Sequence, residues 1–333
     1  MSHSSPQLSA TAAEASRRGA RIALLLADKI PEQQCSFLEA ALRDVPAAQR
    51  RTRIAPSVTG HLHRGHLLHL AYVWGLAVRT NSRIVVRLED HDRQRWRSEF
   101  AASIVDDLTW LGILADPRTE LPIQCQSDRP ERYVAALRRL ADVGAIYGCT
   151  CTRRDLLLGQ PAPGGGDERR YPGTCRARRI PWDQPGVTVR MVVPDETLDF
   201  VDVVHGPIRQ IPAEQCGDVA LCDRHGQYTF QFSVVVDDIL DGITFIVRGE
   251  DILASTGRQL LLRRSLCDAG LTSEVPCATQ GANEPIFFHH ALVVDRTSGA
   301  KISKTHGAVG LREARSNEAD PEAMITEVVL SSP

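Results

Sequence analysis

Two short segments of this 333-residue chain carry residue types that act on phosphates. Gly60-His61-Leu62-His63-Arg64-Gly65-His66 sets two imidazoles, His63 and His66, three residues apart at the start of a helical pattern, so they share a face. Gly65 lets a ligand approach the backbone closely, and the N-terminus of the helix beyond it favours an anion. Imidazoles and free backbone N–H groups in a strand–loop–helix setting suit a triphosphate or an adenine. Roughly 240 residues later comes Gly299-Ala300-Lys301-Ile302-Ser303-Lys304-Thr305. Two lysines three apart in a loop stabilise charge that develops on a transferring phosphate group. Taken singly, the first segment also reads as a histidine-rich loop with solvated rings and the second as a solvated basic loop.

Cys149-Thr150-Cys151, with Tyr171 and Cys175 downstream, is a third constellation. Thiolates suit tetrahedral zinc, and a Cys-x-Cys hairpin with a later Cys is workable ligand spacing; buried, unligated thiols are the alternative. A dense set of arginines at 169, 170, 176, 178 and 179 overlaps this stretch. It reads as a solvated face or as a basic patch for one RNA element.

The elements that position these residues follow from periodicity and punctuation. Residues 53–57 read as a strand end running into a loop, Thr59-Gly60 as a turn, and 62–79 as a helix with apolar Leu67, Leu70, Ala71 and Trp74. A buried-type strand over 84–86 ends in Arg87-Leu88-Glu89-Asp90. Amphipathic helices follow over 98–111 and 130–143, with Pro130 in the first turn of the second. This βαβα rhythm predicts a parallel sheet with crossover helices. Residues 147–215 differ in texture: a Gly/Pro loop over 159–166, then β-like pieces over 187–193 and 198–204, read as an insertion. Strands are predicted over 228–236 and 243–247 and a helix over 255–269. Residues 1–20 read as a leader without structure, followed by a short apolar run over 22–27 and a helical pattern at Phe37, Leu38, Ala41 and Leu42.

Composition bounds the partners. Lys+Arg 39 against Asp+Glu 41 gives a net charge of -2, which argues against a protein that coats nucleic acid nonspecifically. Nine cysteines, an odd number scattered through a long chain, fit thiols in a reducing cytoplasm better than a disulfide framework. No apolar run is long enough for a membrane span, and the start of the chain lacks a signal-peptide pattern. The expected protein is a cytoplasmic monomer with no membrane partner.

The histidine and lysine segments, in this order and flanking an α/β pattern, resemble the two signature motifs of class I aminoacyl-tRNA synthetases. Arg53-Ile54-Ala55-Pro56-Ser57, Arg87-Leu88-Glu89-Asp90-His91-Asp92, Val234-Val235-Val236-Asp237-Asp238 and Val247-Arg248-Gly249-Glu250-Asp251 resemble the glutamyl branch over about residues 50–307. The cysteine constellation is similar to the Cys-x-Cys, Tyr-x-x-x-Cys zinc site of the glutamyl-queuosine tRNA(Asp) synthetases, a shortened subfamily without an anticodon-binding domain. Only 28 residues follow Thr305 here, too few for such a domain.

The resemblance implies an α/β, Rossmann-type class I catalytic domain with a parallel sheet, a zinc-bearing insertion and a short helical C-terminal remnant. Its expected parts are an N-terminal extension over 1–50, partly disordered, catalytic halves over 51–146 and 216–270, the insertion over 147–215, and a remnant over 271–333 carrying the lysine loop. It also implies tRNA-independent activation of L-glutamate with ATP and Mg²⁺, then transfer to queuosine in the anticodon of tRNA(Asp). By the same resemblance His63, His66, Lys301 and Lys304 act on the phosphates, and Gly65 and Ser303 contact ATP. Arg53, Glu89, Arg248, Tyr228 and Phe230 contact glutamate, and Cys149, Cys151, Tyr171 and Cys175 hold structural Zn²⁺. Three departures stand out, the first being the loop over 159–166, which is longer and richer in Gly than the family's. Phe230 occupies a position where the family has Tyr, with Tyr228 on the same face of the predicted strand as a substitute, and some 50 residues precede Arg53. Two other readings remain: a paralogue that transfers an activated amino acid to a non-tRNA acceptor, and a catalytically silent RNA-binding paralogue.

Overall fold

The computed structural model describes residues 6–157, 170–272, 284–293 and 310–330. The elements run α1 (Pro6–Lys29), α2 (Glu32–Ala41), β1 (Arg51–Ile54), α3 (Arg64–Arg79), β2 (Arg83–Leu88), α4 (Ser98–Leu111), β3 (Thr119–Cys125), α5 (Pro130–Asp142), β4 (Ile146–Cys149), α6 (Arg153–Leu157) and β5 (Thr188–Met191). They continue with β6 (Leu198–Asp202), β7 (Gly206–Gln210), α7 (Pro212–Gln215), β8 (Val219–Cys222), α8 (Phe230–Leu240), β9 (Phe245–Gly249), α9 (Thr256–Asp268), β10 (Ile286–His290), α10 (Leu311–Ser316) and α11 (Pro321–Leu330). The chain divides into two units: Met1–Cys125 with Ile243–Asp251 and Ala278–Pro333, and Gln126–Gly242 with Ile252–Cys277. No helix among the described residues is long and apolar enough to cross a membrane.

The first unit is built on parallel strands. β1 pairs with β2, β2 with β3, and β9 with β10, all parallel. β9 runs beside β1 in the same direction: the Thr244 N–H donates to the Arg51 carbonyl at 2.9 Å, and the Arg53 guanidinium donates to the Val247 carbonyl at 3.0 Å. The spatial order is therefore β3-β2-β1-β9-β10. In such a sheet the crevice at the carboxyl ends of the strands, where the order reverses beside β1, is the preferred ligand position. After the exposed Arg83, β2 reads Ile-Val-Val-Arg-Leu with each of these five side chains buried, as expected for a strand covered on both faces. α3, the crossover from β1 to β2, buries Leu67, Leu68, Leu70, Val73, Trp74 and Leu76, and the Trp74 indole donates to Asp116 at 2.8 Å.

Residues 6–29, mostly assigned to an unstructured leader from the sequence, form helix α1. Ile22, Ala23, Leu26, Ala27 and Ile30 are buried at helical spacing, which accounts for the short apolar run. α1 lies against α3 at Gly75, where an added Cβ would sit 2.9 Å from Ile30 Cδ1 and 3.0 Å from the Leu26 carbonyl carbon. Gly75→Leu is thus expected to wedge the two helices apart at about 1–3 kcal/mol, read as a lower denaturant midpoint.

In the second unit β4, β5 and β8 form an antiparallel sheet in that order, and β6 and β7 form a hairpin. Residues 228–236, read as a strand, instead end in helix α8. Thr229 caps it, its hydroxyl accepting the Phe232 N–H at 3.4 Å. Phe232 through Ile239 are all buried, so no polar face breaks the Val-Val-Val run into a helical period and the β-branched composition misleads. The hydrogen bonds of this region converge on Asp237, which accepts from Gln126 and from the Tyr133 hydroxyl, both at 2.8 Å.

Candidate functional site

His63 is the N-cap of α3, in extended backbone. Its Nδ1 accepts the Gly65 N–H at 3.1 Å, and His66 Nδ1 accepts the His63 N–H at 3.1 Å. The pair forms a reciprocal capping box in which imidazoles do the work usually given to Ser and Glu. Both Nδ1 atoms are acceptors, so each neutral ring carries its proton on Nε2. The rings lie 4.0 Å apart between centroids. The helix cap thereby sets the tautomer of two donors at the positive end of a 16-residue helix, a setting that favours a phosphate.

Three buried charged residues gather at the carboxyl ends of adjacent parallel strands. Arg53 lies near the end of β1, Glu89 just past β2, and Arg248 near the end of β9. Glu89 continues the parallel ladder through a bridge to Ser57, and its carboxylate meets Arg87 at 3.4 Å. The Arg248 Nε–H donates to His289 Nε2 at 2.8 Å, and its guanidinium lies 5.0 Å above the Phe287 ring. His289 is the cross-strand partner of Arg248 and is fully buried. It was not singled out in the sequence; the signal was a buried-type Ile-Phe-Phe-His-His strand ending in two histidines. Burial of arginine forks and a carboxylate costs several kcal/mol unless they are paired or serve a charged ligand. A zwitterionic amino acid with two carboxylates has the complementary charges.

Lys301, Ser303 and Lys304 lie outside the described residues, as do the loop over 159–166 and Arg169. The described residues flanking the lysine segment both meet α3 or its lead-in. The Leu311 N–H donates to the Leu62 carbonyl at 3.0 Å, and His290, at the end of β10, meets His69 at 3.4 Å.

The second unit holds the thiols. Cys149, Cys151 and Cys175 present sulfurs within 4.8 Å of one another. Cys151 and Cys175 are 3.6 Å apart, and the Tyr171 hydroxyl lies 3.3 Å from the Cys149 sulfur. Sulfurs bound at about 2.3 Å around a tetrahedral ion stand roughly 3.8 Å apart, so these residues fit zinc. Burial pushes the Cys175 thiol up, but hydrogen bonds from the Thr150 backbone and from Cys151 outweigh it and bring it to about 7. The arginine cluster is not one free patch. Arg176 is locked onto buried Asp218, which also accepts from the Tyr147 hydroxyl at 2.6 Å and the Val193 N–H at 2.8 Å. Arg170 donates to the Ala213 carbonyl at 2.7 Å, while Arg178 and Arg179 are exposed. Phe230 is the first residue of α8, and Tyr228 lies outside the helix in a bridge to Cys222, its ring 4.9 Å from Tyr133. The two therefore do not share a strand face.

Comparison with known proteins gives one consistent result. The family model described as tRNA synthetases class I (E and Q), catalytic domain, matches residues 49–331. The chain is 36% identical to a glutamyl-Q tRNA(Asp) synthetase of Symbiobacterium thermophilum over 287 residues, covering 82% of this chain and 83% of that protein. It is 37% identical to another of that name from Nitratidesulfovibrio vulgaris over 289 residues, covering 83% and 84%. Among solved structures, a glutamate tRNA ligase from Elizabethkingia meningosepticum superposes with a TM-score of 0.64 at 20% identity. That match covers 86% of this chain and 64% of the solved one, so this chain spans under two thirds of that structure and shares its fold.

Proposed function

The chain belongs to the class I tRNA synthetases, in the E and Q catalytic-domain family, and from that premise we propose that this ligase activates glutamate with ATP and transfers it to queuosine in the anticodon of tRNA(Asp). The observation that carries the first half is the buried trio Arg53, Glu89 and Arg248 at the ends of three adjacent strands, beside the cap of α3. The two guanidinium forks take the carboxylates of glutamate and Glu89 takes its ammonium. A carboxylate oxygen attacks the α-phosphorus of ATP, the bond from that phosphorus to its bridging oxygen breaks, and pyrophosphate leaves.

The residues here supply positioning and charge. His63 and His66 present Nε2–H donors, and α3 adds its positive end. Lys301 and Lys304 neutralise the charge that grows on the phosphates, with Gly65 and Ser303 against the nucleotide. Mg²⁺ brought in with ATP would supply further positive charge against the phosphates. In the second step a hydroxyl of the modified nucleoside attacks the acyl carbon and AMP leaves. The names of the relatives support queuosine as the acceptor. Zinc on Cys149, Cys151, Tyr171 and Cys175 would crosslink β4 to the turn that carries Arg178 and Arg179, a solvent-facing pair suited to RNA phosphates. In this role the protein works as a monomer in the cytoplasm.

Amino-acid-dependent ATP–pyrophosphate exchange across all twenty amino acids, with and without tRNA, tests the activation step. Glutamate-dependent exchange without tRNA is expected. Exchange driven by another amino acid, or only in the presence of tRNA, contradicts the reading. Phe230 gives the panel its point, because a hydroxyl missing from a recognition site relaxes discrimination.

A further inference from the structure

A second pair of histidines lies behind the capping box and plays no part in the chemistry above. His69 sits on α3, one turn beyond His66, and is part-buried; His290, the last residue of β10, is buried. His69 Nδ1 stands 3.4 Å from His290 Nε2. His290 Nδ1 stands 2.9 Å from the carbonyl of Ala291. A carbonyl only accepts, so His290 carries its proton on Nδ1 and its Nε2 is the acceptor; the His69 Nδ1–H is then the donor. The result is a directed chain, from the His69 N–H to the His290 ring to the Ala291 carbonyl. Tyr72, also on α3, lies parallel to His290 at 5.0 Å with 11° between the planes, which fixes the ring orientation.

The location gives the pair its meaning. α3 carries His63 and His66 at its start, and β10 leads directly into the segment that holds Lys301 and Lys304 in the sequence. The other flank of that segment is tied by the Leu311–Leu62 hydrogen bond. We propose that His69 and His290 are positioning residues, a neutral hydrogen-bonded link that registers the helix of the histidine motif against the strand feeding the lysine motif. The inference rests on the adenylation reading above.

A link of this kind depends on pH in a definite direction. Burial first, and then His290, Arg53 and His66 around it, three groups of like sign or able to become so, hold the His69 ring well below the ordinary histidine value. Burial also lowers His290, opposed by the Ala291 carbonyl and by Asp251 and Glu250, while Tyr72 against it is a neutral phenol raised by burial. One proton taken up by the pair can be shared across the hydrogen bond, whereas a second removes the acceptor and breaks the link. Because the folded values are depressed, stability from the pair is complete above the unfolded value of 6.5 and declines as pH falls below it.

The test combines exchange kinetics with imidazole ¹⁵N spectra. Exchange is followed with whichever amino acid supports it, so failure of glutamate as the substrate does not shield the proposal. His69→Leu and His290→Leu should each lower the maximal exchange rate about tenfold or more with little change in the amino-acid KM. The double variant should be no slower than either single, and His290→Gln, which keeps an acceptor, should recover much of the rate. The spectra, which need no substrate, should give Nδ1–H tautomers for both rings, staying neutral below the pH where a free histidine titrates. Full-rate single variants, additive losses in the double, or rings that titrate as free histidines overturn the proposal.

Discussion

Arg248→Leu is expected to raise the KM for glutamate by roughly thirtyfold or more, the equivalent of about 2–5 kcal/mol for one half of a buried charge pair. The KM for ATP should change little. Arg248 is held by its hydrogen bond to His289 and by the Phe287 ring beneath it, so its fork is fixed before any ligand arrives. That preorganisation is where the binding energy comes from, since little side-chain entropy is left to lose. Arg248→Lys keeps the positive charge without the planar fork and should recover only a minor part of the affinity. The check is steady-state exchange at varied glutamate, with a melting curve to establish that the variant is folded. An unchanged glutamate KM would remove Arg248 from the amino-acid site.

Cys151→Ser carries the other large effect. Cys149 ends β4, Cys151 follows it, and Cys175 with Tyr171 comes from a separate turn. The three sulfurs and the phenol are the contents of a small buried cluster that otherwise gathers Tyr147, Leu156, Ile180 and Val192. A structural zinc contributes its binding free energy directly to folding. The variant should therefore lose the metal, and the cluster should open to proteolysis between β4 and β5. Each kcal/mol lost should lower the midpoint of unfolding by about 2–4 °C. Cys222→Ser, a thiol outside the cluster, serves as the control. Metal content by elemental analysis decides: one zinc per chain in the parent and none in Cys151→Ser is the expected result, and full retention in Cys151→Ser would show that Cys151 is not a ligand.

The parts of this protein legible in its sequence were those with one buried face or a clear stop signal. The strand–loop–helix around His63, the helices over 98–111 and 130–143 and the strand before Glu89 all stand where periodicity and Pro130 put them. Helix α8 was not legible as a helix because its residues from Phe232 to Ile239 are buried all round, which erases the 3.6-residue period. α1 was mistaken for a leader because its first turns are Ser- and Ala-rich; its buried positions cluster from Ile22 onward, and only the contact with α3 at Gly75 reveals their purpose. Within the candidate site, Arg53, Glu89 and Arg248 were legible only through the resemblance of their motifs, and nothing local connects Arg248 to His289, since the two are 41 positions apart and meet only through the β9–β10 register. The arginine cluster shows the converse failure: adjacent charges read as one patch, yet the ion pair with Asp218 takes Arg176 out of it.

Transfer of labelled glutamate to tRNA(Asp) that contains queuosine, set beside the same tRNA lacking the modification, decides whether queuosine is the acceptor. Label is expected on the modified tRNA alone, stable only as long as the ester to the nucleoside survives. Label on unmodified tRNA, or none on either despite glutamate-dependent pyrophosphate exchange, would contradict that assignment.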